Sequence, residues 1–246
     1  MVIALAQTSP IIGDIDYNLK EHCEFIKIAS GHGADLIAFP EMSLTGYVRD
    51  TASELSFKEN DPRLEALRKL AVENNIIIIA GAPIRMGTEM YIGSFVLFPD
   101  NNISIYTKQF LYTGEEVFFK PSFDYNPLIK LDTDFIRLAI CADIMNPEHP
   151  KNQNAAGATV YIAGICFSEA SINNAHKVLS DYSRIYSMPV LMSNVCGEFY
   201  GIQAGGKSAI WSEKGDCIAE LNGTDRGLLL ARKNGDVWTG EVVRKY

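Results

Sequence analysis

Three reactive side chains stand directly after short apolar runs: Glu41 after Leu36-Ile37-Ala38-Phe39-Pro40, Lys108 after Ile103–Thr107, and Cys141 after Phe135–Ile140. In layered α/β chains functional groups gather at the carboxyl ends of strands, where the chain turns into the next loop or helix. A thiol, a carboxylate and an ammonium in such places suit nucleophilic catalysis. The thiol attacks as a thiolate and needs a base or a cation beside it. A desolvated carboxylate can be that base, because burial raises its proton affinity toward that of the thiol. An ammonium would favour the thiolate and, with a backbone N–H such as that of Ala142, stabilise an oxyanion.

Each residue also has a plainer reading. Glu41 could cap a helical turn or pair at the surface, Lys108 could guard a strand edge, and Cys141 could be an inert buried thiol, as expected for Cys23 and Cys217. Histidine is the commoner partner of a nucleophilic cysteine. None of His22, His32, His149 and His176 falls at a strand end, and a Cys–His pair is open only through His149 or His176.

The elements that must position these groups alternate. Val2–Ala6, Asp35–Phe39, Ile76–Ala80, Ser94–Phe98, Ile103–Thr107, Phe135–Ile140, Thr159–Ala163, Pro189–Ser193, Lys207–Trp211 and Leu228–Ala231 are apolar runs of strand length. Asn18–Ala29, Pro62–Asn74 and Ile172–Ser187 have helical spacing, the second opening on an Asp-Pro start and the third stopped by Met188-Pro189. The order amounts to one half-pattern written twice. Two sheets packed face to face, with helices on both outer faces, would cover strands that are apolar on both sides. A single doubly wound sheet is the alternative, crowded by so many strands.

Bulk properties narrow the classes. The chain has 246 residues, 47% of them hydrophobic, with no low-complexity linker, so one domain spanning 1–246 is expected. The net charge of −8 comes with scattered Lys and Arg, which argues against nucleic-acid partners. A basic leader and a membrane-length apolar run are both missing, so no membrane association and a cytoplasmic location are expected. Five cysteines without a CxxC pair suggest neither a disulfide framework nor a zinc site.

FPEMSLTGY at 39–47, KQFLYTGEEVFF at 108–119 and CADIMNPE at 141–148 resemble the three signature blocks of the nitrilase superfamily of carbon–nitrogen hydrolases, in the right order. The resemblance runs from Ala6-Gln7 through Gly157-Ala158 and Asn194 to GGKSAIWSEKG at 205–215. It implies Glu41 as general base, Lys108 as oxyanion-stabilising cation and Cys141 as nucleophile. Glu115 would be a second glutamate that orients Lys108 and helps position the leaving amine, with Glu116 as its alternative. It further implies a four-layer α-β-β-α sandwich, a homodimer or higher homo-oligomer, and no metal or organic cofactor. The expected reaction is cleavage of a small-molecule amide or carbamoyl amide through a thioester. Nitrile hydrolysis, acyl transfer on the same site and a catalytically silent binding module are the alternatives. Two positions depart from the amidase pattern, Ala142 and Asn146 standing where aromatics are common, and the block before Asn194 lacks Arg-Ala-x-Glu-Asn. Tyr47, Cys166, Phe167 and Asn194 are candidate cleft residues, and His176 and Arg184 are candidate binders of a substrate carboxylate.

Overall fold

The computed structural model describes residues 1–244. The strands are β1 (Val2–Gln7), β2 (Leu36–Ala38), β3 (Phe57–Lys58), β4 (Ile77–Met86), β5 (Glu89–Leu97), β6 (Ile103–Thr107), β7 (Ile129–Leu131), β8 (Asp134–Ile140), β9 (Val160–Ile165), β10 (Val190–Asn194), β11 (Glu198–Phe199), β12 (Ile202–Gln203), β13 (Ala209–Trp211), β14 (Cys217–Glu220), β15 (Gly227–Asn234) and β16 (Val237–Arg244). The helices are α1 (Ile15–Gly31), α2 (Ala52–Leu55), α3 (Glu65–Asn74), α4 (Glu148–Ala155) and α5 (Glu169–Tyr186).

One sheet runs β16-β15-β1-β2-β4-β5-β6, with β3 beside the end of β4, and the other runs β14-β13-β10-β9-β8-β7. The repeat expected from the sequence is present in the pairing. Within β1-β2-β4-β5-β6 the contacts are parallel, parallel, antiparallel, antiparallel. The same succession holds for β8-β9-β10-β13-β14.

Side-chain alternation along the strands builds the layers. On β1 and β2, Ile3, Leu5, Leu36 and Ala38 face the second sheet, where they join Ile136, Leu138, Ile162 and Leu191. Ala4, Ala6 and Ile37 point the other way and pack beneath Phe25, Ile26 and Ala29 of α1 and Leu67 and Ala71 of α3. On the second sheet Ala139, Tyr161, Ala163 and Val190 are covered by Ile172, Ala175 and Leu179 of α5. Three apolar interlayers therefore separate four layers, α-β-β-α.

Several boundaries differ from the sequence reading. Pro62–Leu64 is a 3₁₀ turn that leads into α3 rather than the first turn of one helix. The strand expected at Lys207–Trp211 is confined to β13, because the backbone at Lys207 is left-handed, with φ 55°. β14 and β16, which pack against each other, and the short α4 were not expected from the sequence. α4 has mean polarity high enough to hide it, buried only through His149, Pro150 and Gln153.

The turn after β2 lies in a narrow gap between the sheets. A Cβ on Gly81 of β4 would sit 2.6 Å from both Met42 N and Pro40 O, and one on Gly164 of β9 would sit 2.9 Å from Phe39 O. Both obstacles are backbone, so neither can rotate away. Gly81→Ala is expected to lower unfolding free energy by about 1–3 kcal/mol in urea titrations. Gly31→Ala, where a Cβ meets nothing within 4 Å, should leave stability unchanged or slightly raised.

Candidate active site

Glu41, Lys108 and Cys141 come from three strand ends in two sheets: β2 and β6 of one, β8 of the other. They converge between the sheets, where Glu41 is 1%, Lys108 0% and Cys141 7% exposed.

Local backbone chemistry explains each placement. Leaving β2, the chain bends at Pro40, and its tight turn is closed by Ser43 N–H donating to Pro40 O and Leu44 N–H donating to Gly81 O. Ser43 Oγ lies 3.0 Å from His22 Nε2 and accepts from Gly81 N–H. His22, stacked on Phe39, is held near a pKa of about 4 by burial, so it supports this turn as a neutral ring. Lys108 is anchored by its own N–H donating to Ile92 O. Cys141 takes a left-handed backbone with φ 46°, an uncommon conformation for a residue bearing a Cβ.

Asp143 holds that conformation in place. One carboxylate oxygen accepts from the N–H groups of Gln109 and Phe110, and the other from Ile140 N–H and the Tyr106 hydroxyl. A single buried side chain thus ties the Cys141 turn to the segment beyond Lys108, across the sheet interface. His149 belongs to the same network, within 2.8 Å of the hydroxyls of Tyr106 and Tyr161. The expected Cys–His alternatives therefore fail. His149 serves this buried network, while His176 bonds Lys207 O and pairs with Glu220.

The Lys108 ammonium lies 2.7 Å from Glu41 Oε1 and 2.8 Å from the Glu115 carboxylate. Glu115 also accepts from the Tyr47 hydroxyl and from Tyr112 N–H, each at 2.7 Å. Of the two adjacent glutamates the geometry selects Glu115, since Glu116 is exposed and accepts from Gly114 N–H. Glu41 Oε2 is buried without a hydrogen-bond partner.

Electrostatics follow from burial and from the sign of the neighbours. Burial raises the Glu41 pKa to about 7, against the downward pull of Lys108 and the Cys141 thiol. Burial lowers the proton affinity of Lys108, but Glu41, Cys141 and Glu115 more than reverse that and lock it as a cation. The Cys141 pKa is pushed well up by burial and then by Glu41, with Lys108 and a backbone hydrogen bond from Cys166 opposing. Burial, reinforced by the nearby Glu41 carboxylate, favours the protonated thiol over the thiolate, with the Lys108 ammonium opposing.

Cys141 and Ala142 open onto a cleft of about 650 Å³ whose walls include residues 109–113 and Phe167. Of the other cleft candidates, Tyr47 bonds Glu115, and the backbone of Cys166 hydrogen-bonds the Cys141 sulfur. Asn194 is instead structural, its amide spanning Phe167 N–H, Phe167 O and Gly206 O. Arg184 pairs with Asp181 at the surface, and neither Arg184 nor His176 lines the cleft. The sequence reading missed Asp143 and Gln109. The signal for Asp143 was a carboxylate two positions after the cysteine, on a turn rich in orphan N–H groups.

Among the described residues there is no cluster of three or more His, Cys, Asp or Glu that could hold a metal ion, and no helix long and apolar enough to cross a membrane.

The family model for carbon-nitrogen hydrolases matches residues 2–237. The chain belongs to that family and is a carbon–nitrogen hydrolase of the nitrilase superfamily. It is 29% identical to the glutamine-dependent NAD(+) synthetase of Thermotoga maritima over 65% of this chain, and it spans 28% of that protein's length. It is 26% identical to the nitrilase of Pyrococcus abyssi, over 91% of this chain and 86% of that one. Its fold matches the amidase from Nesterenkonia sp. AN1, solved as a mutant with the acetamide moiety of fluoroacetamide covalently added at the active-site cysteine. The TM-score is 0.85 at 24% identity, over 94% of this chain and 89% of that one.

Two predictions follow from the buried charges. Lys108→Met strands buried carboxylates without their cation and should cost about 3–5 kcal/mol at neutral pH. The loss should shrink as pH falls through about 7, since protonating Glu41 removes an unpaired buried charge; denaturant unfolding at pH 5 and pH 8 checks the sign. Asp143→Asn turns an NH₂ toward backbone N–H groups and should cost about 1–3 kcal/mol in the same measurement.

Proposed function

We propose that this protein hydrolyses small-molecule amides through a thioester on Cys141, with Glu41 as base and Lys108 as the oxyanion-stabilising cation. The observation that carries this reading is the buried set Glu41–Lys108–Glu115 beside a thiol that opens onto a cleft. Support also comes from the amidase of similar fold that carries a covalent acetamide moiety at its active-site cysteine.

In the first step the amide carbonyl sits against Cys141. Glu41, ionised at and above a pH of about 7, takes the thiol proton as sulfur attacks. The developing oxyanion meets the Lys108 ammonium and a backbone N–H, such as that of Ala142. Glu41 then returns the proton to the departing nitrogen, and ammonia or an amine leaves. Water, deprotonated by the same carboxylate, cleaves the thioester and frees the acid, and Glu41 hands that proton back to the departing Cys141 sulfur. Glu115 keeps Lys108 fixed and charged throughout, and Tyr47 keeps Glu115 oriented.

The curated relatives named nitrilase and arylacetonitrilase favour a second reading, in which the thiol adds to a nitrile carbon. There the thiol proton passes through Glu41 to the nitrile nitrogen, giving a thioimidate, and a first water must add before ammonia leaves to give the same thioester.

The test is ammonia release from a panel of amides and nitriles. Cys141→Ala and Glu41→Gln should each reduce turnover by about 10³-fold or more; full turnover by Cys141→Ala would overturn the mechanism. The kcat/KM of the native protein should fall as pH drops through about 7, where Glu41 becomes protonated, and be level just above it.

A further inference from the structure

The cleft differs chemically from the charged cluster beneath it. Phe110, Leu111, Met145 and Phe167 supply apolar wall, and its polar lining is made only of neutral groups. Among the described residues, no Lys, Arg, His, Asp or Glu side chain lines it.

One neutral group stands out by being buried and yet without a side-chain partner. Gln109 is 4% exposed, yet its side-chain carboxamide makes no hydrogen bond within the protein, although its backbone N–H is held by Asp143. Carboxamides at this level of burial are ordinarily hydrogen-bonded, and one left open in a cleft wall marks where a ligand or water completes the bonding. Asn146 adds a second donor. Its side-chain oxygen accepts from Glu148 N–H, and its NH₂ makes no hydrogen bond within the protein.

We propose that this cleft selects uncharged amides with a largely apolar acyl part, and that Gln109 is the specificity-determining residue, hydrogen-bonding the substrate through its neutral carboxamide. The proposal rests on the amide-hydrolysis reading above. A carboxylate on the acyl chain would enter an apolar wall with no cation to receive it, next to two glutamates sharing one lysine. An ammonium would find no carboxylate in the lining. Gln109 offers both a donor and an acceptor, so it can meet a neutral polar group of either kind without a net charge of its own.

A matched series differing at one end isolates the effect: butyramide, succinamide, succinamate and 3-aminopropanamide. For the native protein, kcat/KM for the two neutral amides should exceed that for the two ions by tenfold or more. Gln109→Leu should raise KM for succinamide at least fivefold with kcat nearly kept, and Gln109→Glu should shift preference toward 3-aminopropanamide. Equal turnover of succinamate and butyramide, or an unchanged KM in Gln109→Leu, would overturn the proposal while leaving amide hydrolysis standing. If the native protein turned over none of the four, calorimetric titration of Cys141→Ala with the same compounds would decide the matter. Tighter binding of the neutral pair would uphold the selectivity, and equal or tighter binding of the ions would sink it.

Discussion

The contact between the Lys108 ammonium and the two carboxylates of Glu41 and Glu115 is the constraint around which the rest of the molecule is arranged. Three ionised groups without solvent would be prohibitive singly, and together they are tolerable only at hydrogen-bond distance with their remaining lone pairs satisfied. Glu115 meets that demand through Tyr47 and Tyr112, while Glu41 meets only half of it, its Oε2 being left open. That unmet oxygen and the burial around it leave the carboxylate with a proton affinity near neutrality, which a general base requires. Stability and reactivity therefore compete at one atom.

Holding such a cluster together requires registration between two sheets, since its members come from both. Asp143 supplies it by accepting from Ile140 on one side and from Gln109 and Phe110 on the other. The glycines at 81 and 164 supply it differently, by letting the Glu41 turn pass where any side chain would push it away. One device pulls the sheets' contributions into place and the other keeps space for them. The left-handed backbone at Cys141 persists because these contacts fix the chain on both sides of it.

Much of this was legible in the sequence because it depends on period and order. Apolar runs such as Ile76–Ala80 and Phe135–Ile140 declare buried strands, and their repeated succession with helices gives the layered architecture. The residues at strand ends could be named for the same reason. What was not legible depends on contacts between residues far apart. The motif resemblance favours Glu115 without removing Glu116, and the 3₁₀ turn at 115–117 is what points the first inward and the second to solvent. Asp143 looks like any acidic residue near a helix start until Tyr106 and residues 109–110 are brought to it. His176 and Arg184 were plausible substrate contacts only while the faces of α5 were unassigned, and they point to Lys207 and Asp181 instead.

The two departures from the familiar pattern beside the nucleophile gain meaning from the cleft. Ala142 and Asn146, where aromatics are common in amidases, both line it, so the wall next to Cys141 is smaller and more polar than an aromatic pair would make it. Phe110, Leu111 and Phe167 supply apolar lining to the same cleft. A substrate lodged here would touch both apolar surface and neutral amides, with charge confined to the buried cluster. Burial and the Glu41 carboxylate favour the protonated form of the Cys141 thiol, and on the proposed mechanism its transfer of a proton to Glu41 would be promoted once a bound acyl group excludes water. On that reading, recognition by a neutral cleft and activation by a charged core would be linked through the desolvation that binding completes.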